Sequence, residues 1–171
     1  DMSRVLLAGA EKVSVNSLAV RNPAIIREGA RAFGSQCIVL GMDPLAVDAE
    51  TCPSGYEITV RGFRERTGMD ALEWARRAVD LGVGEIVVNS VDADGTRDGF
   101  QLALTGLIAD HVAVPVVASG GAGTPGHLVD VFRRAHADAA IIAGMIHTGD
   151  YTIPGIKAAL VEAGIPIRRH W

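Results

Sequence analysis

Aromatic side chains are scarce in this chain: four Phe, two Tyr and two Trp in 171 residues. Yet 49% of the residues are hydrophobic, so the interior must be filled with Val, Ile, Leu and Ala. That is the usual filling of buried parallel strands with helices on both faces, and it excludes a disordered chain. Cysteine is sparse too, at two. Cys37 lies in an apolar, strand-like run and reads as a small core residue; Cys52 lies in a loop-like segment. Neither a disulfide framework nor CxxC metal spacing is present, so a reducing cytoplasm is the expected compartment. No apolar run is long enough to cross a bilayer and no signal-peptide pattern occurs, so no membrane partner is expected. The net charge of -4 gives no reason to expect nucleic acid. GxSxG, Walker and strand-to-helix GxGxxG patterns are missing. His111, His127, His136, His147 and His170 are scattered, with no metal-ligand spacing. Neither a metal nor a cofactor is expected.

What is present is alternation. "KVSVN" (Lys12 to Asn16) reads as a strand. "NPAIIREGARAFG" reads as a helix, with Asn22 as N-cap, Pro23 at the first helical position and Gly34 as the stop. "CIVLGMD" (Cys37 to Asp43) is the next strand, and then the spacing breaks. Residues 44–68 form an inserted segment in which Tyr56, Ile58 and Val60 alternate with polar neighbours, the pattern of a small exposed hairpin. "MDALEWARRAVDLG" is an amphipathic helix with Asp70 as cap and Gly82 as stop. Strand "EIVVNSV", a helix over 100–109, strand "VPVVAS", helix "HLVDVFRRA", strand "AAIIAG" and helix "IPGIKAALVEAG" follow. This is a series of βαβ units, hence an α/β domain with about five parallel strands, spanning residues 1–171 without a linker.

Polar residues collect at one end of these strands. Asn16 and Ser17, Asp43, Asn89 to Asp94, Ser119, and Gly144 with His147 all fall at C-terminal ends, where parallel α/β proteins bind ligands. The loops "SGGAG" (Ser119 to Gly123) and "DADGT" (Asp92 to Thr96) let backbone N–H groups approach an anion closely, and "AGMI" (Ala143 to Ile146) is a third candidate. Asp43 ends an apolar strand and is a candidate general acid or base, or else a loop cap. Lys12 and Glu85 sit at the opposite ends of two strands, a charged rim on the face away from the loops.

The stretches "GAEKVSVNSLAVRNPAIIREGARAFGSQCIVLGMD", "GEIVVNSVDADGTRDGF", "VPVVASGGAGTPGHLVDVF" and "ADAAIIAGMIHTGDYTI" resemble the cyclase subunits of imidazole glycerol phosphate synthase, from histidine biosynthesis. The resemblance runs along essentially the whole chain. It implies a (β/α)8 barrel, of which this chain carries strands 4 to 8 and is therefore an incomplete barrel. It also implies an activity: a phosphoribulosyl-formimino-carboxamide ribonucleotide plus ammonia gives imidazole glycerol phosphate and an aminoimidazole carboxamide ribonucleotide. Ammonia is delivered by a glutaminase partner docked at the barrel bottom. By this resemblance Asp43 is the catalytic aspartate, and Asn16 and Ser17 contact one phosphate. Asp94, Gly95, Gly121 and Gly144 hold the other phosphate, with Ser119 and Gly120 of the same glycine loop as further phosphate- or substrate-binding candidates, and Lys12 and Glu85 belong to a charged ring that gates ammonia.

Two departures stand out. Gly144 replaces a serine of the family, and Pro44 directly follows Asp43. The family's first three strands, with a second catalytic aspartate, precede the point at which this chain starts. The expectation is therefore weak phosphate binding with little or no turnover, and association into a homodimer through open sheet edges. Two other readings compete: a phosphate-binding half-barrel without catalysis, with the missing first strands and the start at Asp1 as signs of an incomplete product, and a related phosphoribosyl isomerase barrel, which needs no ammonia.

Overall fold

A computed structural model of the chain describes residues 1–168, so His170 and Trp171 lie outside the described residues. The elements in order are α1 (Met2–Leu7), β1 (Val13–Val15), α2 (Ser17–Arg21), α3 (Ala24–Phe33), a 3-10 turn (Ser35–Cys37), β2 (Ile38–Ala46), β3 (Tyr56–Val60), β4 (Glu65–Asp70), α4 (Ala71–Leu81) and β5 (Glu85–Asn89). Then come α5 (Leu102–Ala109), β6 (Val116–Ser119), α6 (Pro125–Arg134), β7 (Ala139–Ala140), α7 (Gly144–His147) and α8 (Ile153–Glu162).

β1, β2, β5, β6 and β7 pair in parallel and in chain order. An order that advances one strand at a time, with helices between, is the arc of a barrel; a doubly wound sheet reverses direction at a switch point. All loops that follow these strands then share one rim. The core divides in two. One cluster packs Ile38, Leu40, Trp74, Ile86 and Leu104 around β2, β5 and α4. The other packs Leu128, Val131, Met145, Ile156 and Leu160 around α6 and α8. Each fully buried aliphatic side chain contributes about 2 kcal/mol. Beside the two open edges, β1 and β7, lie apolar clefts of ≈ 510 and ≈ 660 Å³.

α4 follows the sequence rules closely. Asp70 Oδ1 accepts from the N–H groups of Leu72 and Glu73 at 2.9 and 3.0 Å, and Gly82 closes the helix in the left-handed conformation at φ 109°. In α3 the expected cap is one residue out. Pro23 occupies the cap position and Asn22 makes no side-chain cap bond, because α2 has already ended on Asn22.

The inserted segment differs more. β2 does not stop at Asp43 but runs on through Pro44 to Ala46. Proline lacks an N–H, yet its carbonyl accepts from Val91 N–H at 3.0 Å, which keeps the strand tied on that side. β3 pairs antiparallel with this extension, Asp43 opposite Thr59 and Ala46 opposite Tyr56, and β4 completes the hairpin. The hairpin is not exposed as expected. Ile58, Thr59 and Val60 are buried, as is Glu57, whose carboxylate accepts from Arg66 and, at 2.7 Å, from Gly68 N–H. The expected strand 139–144 is cut to Ala139–Ala140; residues 141–143 have no regular structure and Gly144 opens α7. Cys37 lies in the 3-10 turn, half-buried, while Cys52 is buried; both are free thiols. No helix among the described residues is long and apolar enough to cross a membrane.

Candidate active site and phosphate pocket

Asp43 lies midway along β2, where the parallel part of the strand gives way to the hairpin. It is 8% exposed. Side-chain amides reach it from the two neighbouring strand ends: Asn16 Nδ2 donates to Oδ2 at 2.7 Å and Asn89 Nδ2 donates to Oδ1 at a longer 3.4 Å. The Thr59 hydroxyl donates to the Asp43 carbonyl at 2.8 Å. A carboxylate held on both oxygens by neutral donors keeps a fixed direction. Asn16 Oδ1 is buried with no hydrogen-bond partner among the described residues, an open acceptor at the same corner. Ser17 does not join this group. Its hydroxyl accepts the Arg61 N–H at 3.0 Å and so fastens the hairpin tip to the start of α2.

One strand further on, the glycine loops converge. Asp94, Gly95, Ser119, Gly120, Gly121 and Gly144 line one pocket of ≈ 120 Å³, with Arg97, Ala122, Ile141 and Ala143. At roughly 30 Å³ per water that is space for about four waters or one small anion. Among the described residues the backbone N–H groups of Gly95, Gly121, Ala122 and Ala143 donate to no protein acceptor. The Asp94 N–H is committed to the Ser90 carbonyl at 3.0 Å and so is not free for an anion.

The run of glycines has two physical causes here. Gly120 and Gly121 adopt φ 87° and 96°, where a side chain is strained. A Cβ on Gly121 would lie 2.1 Å from the Gly99 carbonyl oxygen, and one on Gly123 2.1 Å from that of Arg97. The SGGAG loop is thus pressed directly onto the backbone after DADGT, with Gly99 N–H donating to the Gly121 carbonyl at 2.8 Å.

Asn89 joins the two places. It pairs with Ser119 in the ladder, holds Asp43 with its amide, and a Cβ on Gly120 would meet its Oδ1 at 3.2 Å. At the far end of the strands, Lys12 and Glu85 form an ion pair that links the starts of the two strands flanking β2. Among the described residues no group of three His, Cys, Asp or Glu side chains could hold a metal ion.

From the sequence Asn89 falls at the ligand rim without a role, and Arg97 has no assigned part. Asn89 was findable, since it falls at a strand end beside the strand that carries Asp43; Arg97 carried no signal beyond its place after a glycine loop.

The chain matches the sequence model of the family described as "histidine biosynthesis protein" over residues 1–152. The chain belongs to that family. Among its relatives, the imidazole glycerol phosphate synthase subunit HisF of Syntrophobacter fumaroxidans is 62% identical over 100% of this chain and 66% of its own length. The protein of the same name from Desulforapulum autotrophicum is 58% identical over 99% of this chain and 66% of its own. That of Desulfatibacillum aliphaticivorans is 58% identical over 98% and 65%. The chain therefore spans about two-thirds of the length of the curated relatives it matches. Membership of the histidine biosynthesis family agrees with a parallel sheet whose candidate site residues share one rim.

Proposed function

We propose that this chain carries part of a cyclase site for imidazole glycerol phosphate synthesis, with Asp43 as its proton-transfer group. The observation that carries the reading is the buried carboxylate held by Asn16 and Asn89 one strand away from the glycine pocket. A phosphate gripped by the free N–H groups of Gly95, Gly121 and Ala143 fixes one end of the substrate. Asn89 sets the spacing from that end to Asp43.

Ring closure after ammonia attack needs protons taken from nitrogen and delivered to a leaving group. A carboxylate with a fixed direction can do this once the substrate is held still. The open Asn16 Oδ1 is an acceptor for a substrate N–H or O–H at that corner. Lys12 and Glu85, at the opposite strand ends, are the groups that ammonia from a glutaminase partner would meet on entering.

Two weaknesses lower the expected turnover of the chain alone. Asp43 is the one buried carboxylate of the described residues at this corner, while charge must move across the substrate from more than one side. The second phosphate anchor is also partial, since the family's first three strands would supply the rest of it; the Ser17 hydroxyl accepts from the Arg61 N–H and keeps its own O–H to donate. The test is ammonia-dependent turnover of the formimino substrate, without partner, against Asp43→Asn. A slow rate above the uncatalysed one that disappears in the variant supports the reading. A rate that the variant retains overturns Asp43 as the proton-transfer group. Turnover of a ribonucleotide isomerisation without ammonia would favour the isomerase instead.

A further inference from the structure

The phosphate pocket contains a conflict of charge. An acidic residue, Asp94, is among its lining residues. Neutral N–H groups beside a fixed negative charge make a poor site for a dianion. Among the described lining residues Arg97 is the one cationic side chain. Its charge is not free, because Arg97 forms an ion pair with Asp150. Asp150 in turn accepts from the Thr148 hydroxyl at 2.6 Å, and the same hydroxyl has the carbonyl of Gly144, another lining residue, at 3.0 Å. These bonds, that of Thr148 first and that of Arg97 second, hold the Asp150 carboxyl below its ordinary range.

The backbone at Arg97 is set with care for a surface residue. It adopts φ 66°, uncommon for a side chain other than Gly, Asn or Asp. Its carbonyl packs where Gly123 leaves no room for a Cβ. The side chains of Arg97 and Asp150 are 41% and 46% exposed, so the guanidinium can exchange one anion for another without first leaving a buried site.

We infer that Arg97 is the cationic arm of this pocket and that Asp150 is a competitor built into the same chain, which the incoming phosphate must displace. The inference rests on the phosphate reading above and deepens it. An exposed ion pair is worth only a few-fold in equilibrium, whereas a guanidinium on phosphate can make two charge-assisted bonds. The exchange is therefore favourable but costs affinity. Asp150 sets how tightly the pocket holds a phosphate, and so how readily a phosphorylated product leaves.

The test is an amide NMR titration of the folded chain with inorganic phosphate at constant ionic strength and neutral pH. It compares the parent with Asp150→Asn, Arg97→Asn and the double variant. Asparagine is chosen at position 97 because it tolerates the left-handed backbone. The expected results are shifts at Gly95 and Gly121, binding about three- to fivefold tighter in Asp150→Asn and about tenfold weaker in Arg97→Asn. The double variant should match Arg97→Asn, since Asp150 has nothing left to withhold. If Asp150→Asn still tightens binding without Arg97, or if Arg97→Asn binds as the parent does, the arm-and-competitor inference is wrong and the pocket stands. If neither the parent nor Asp150→Asn shifts at Gly95 and Gly121, the phosphate reading fails with it.

Discussion

The Asp43 corner on β2 and the glycine pocket, which begins at the neighbouring β5, share one rim and are built on opposite principles. Around Asp43 the architecture is made of side chains: two amides, a threonine hydroxyl and a hairpin whose buried Glu57 is held by Arg66. In the pocket it is made of backbone, with loops pressed so closely together that a single Cβ at Gly121 or Gly123 would collide with a carbonyl. A side-chain site is sensitive to loss of charge and hydrogen bonds. A backbone site is sensitive to added atoms. Proton transfer requires a titratable group and so needs the first kind; holding a phosphate requires N–H groups and room, which the second supplies.

The contrast predicts where each region breaks. The largest effect is expected from Gly121→Ala, which adds a Cβ 2.1 Å from the Gly99 carbonyl at φ 96°. It should cost ~3 kcal/mol in urea unfolding and abolish phosphate-induced shifts at Gly95. Next is Arg66→Ala in the hairpin. It leaves the Glu57 carboxylate, 3% exposed, with only backbone N–H groups, those of Gly68 and Thr67, as partners among the described residues. Because Arg66 itself is 57% exposed, the loss should be smaller than that of Gly121→Ala and well short of the full penalty of a buried pair, read as a lowered urea midpoint. Phosphate binding should be unchanged by it; a parallel loss of phosphate affinity would dissolve the distinction between the regions.

A smaller effect is expected at Asp70, whose two oxygens serve different elements: Oδ1 caps α4 and Oδ2 accepts the Ser54 N–H at 2.7 Å. Asp70→Ala should cost ~1 kcal/mol, read as a lowered melting temperature. Acid sharpens the same comparison. Arg66 holds the Glu57 carboxyl below its ordinary 4.5. Burial pushes Asp70 up, but the Ser54, Glu73 and Leu72 bonds outweigh it and leave it below 3.8. Both groups are depressed in the folded chain, so their stabilisation is complete above those ordinary values and is lost as pH falls through the folded ones. Unfolding midpoints measured from pH 5 downward should fall, and Arg66→Ala should flatten that decline.

The two regions also differed in how far they could be read from sequence. The glycine pocket was largely legible. Backbone conformation is written in glycine positions, and Gly95, Gly120, Gly121 and Gly144 do converge. The alternating strands and α4 with its Asp70 cap were legible for the same reason: period and capping are local. The side-chain region was legible only in part. Asp43 stood out at a strand end, but the strand continues past it, and Pro44 masked that continuation because its carbonyl bond to Val91 is a tertiary contact. The hairpin hides Glu57 where alternation alone marks a polar, outward position. Ser17 and Arg97 are spoken for by residues 44 and 53 positions away, Arg61 and Asp150, and no local pattern encodes such partners.

The claim that both regions act on one ligand is tested most directly by titrating the chain with imidazole glycerol phosphate and following two sets of NMR signals together. One set is the backbone amides of Gly95 and Gly121; the other is the side-chain amides of Asn16 and Asn89. The account predicts that both sets move along a single binding curve, the phosphate end seated in the glycine pocket and the imidazole end at Asp43. Movement of the glycine amides alone, with the Asn16 and Asn89 amides unperturbed at saturation, would contradict it and leave a phosphate pocket with no reaction centre beside it.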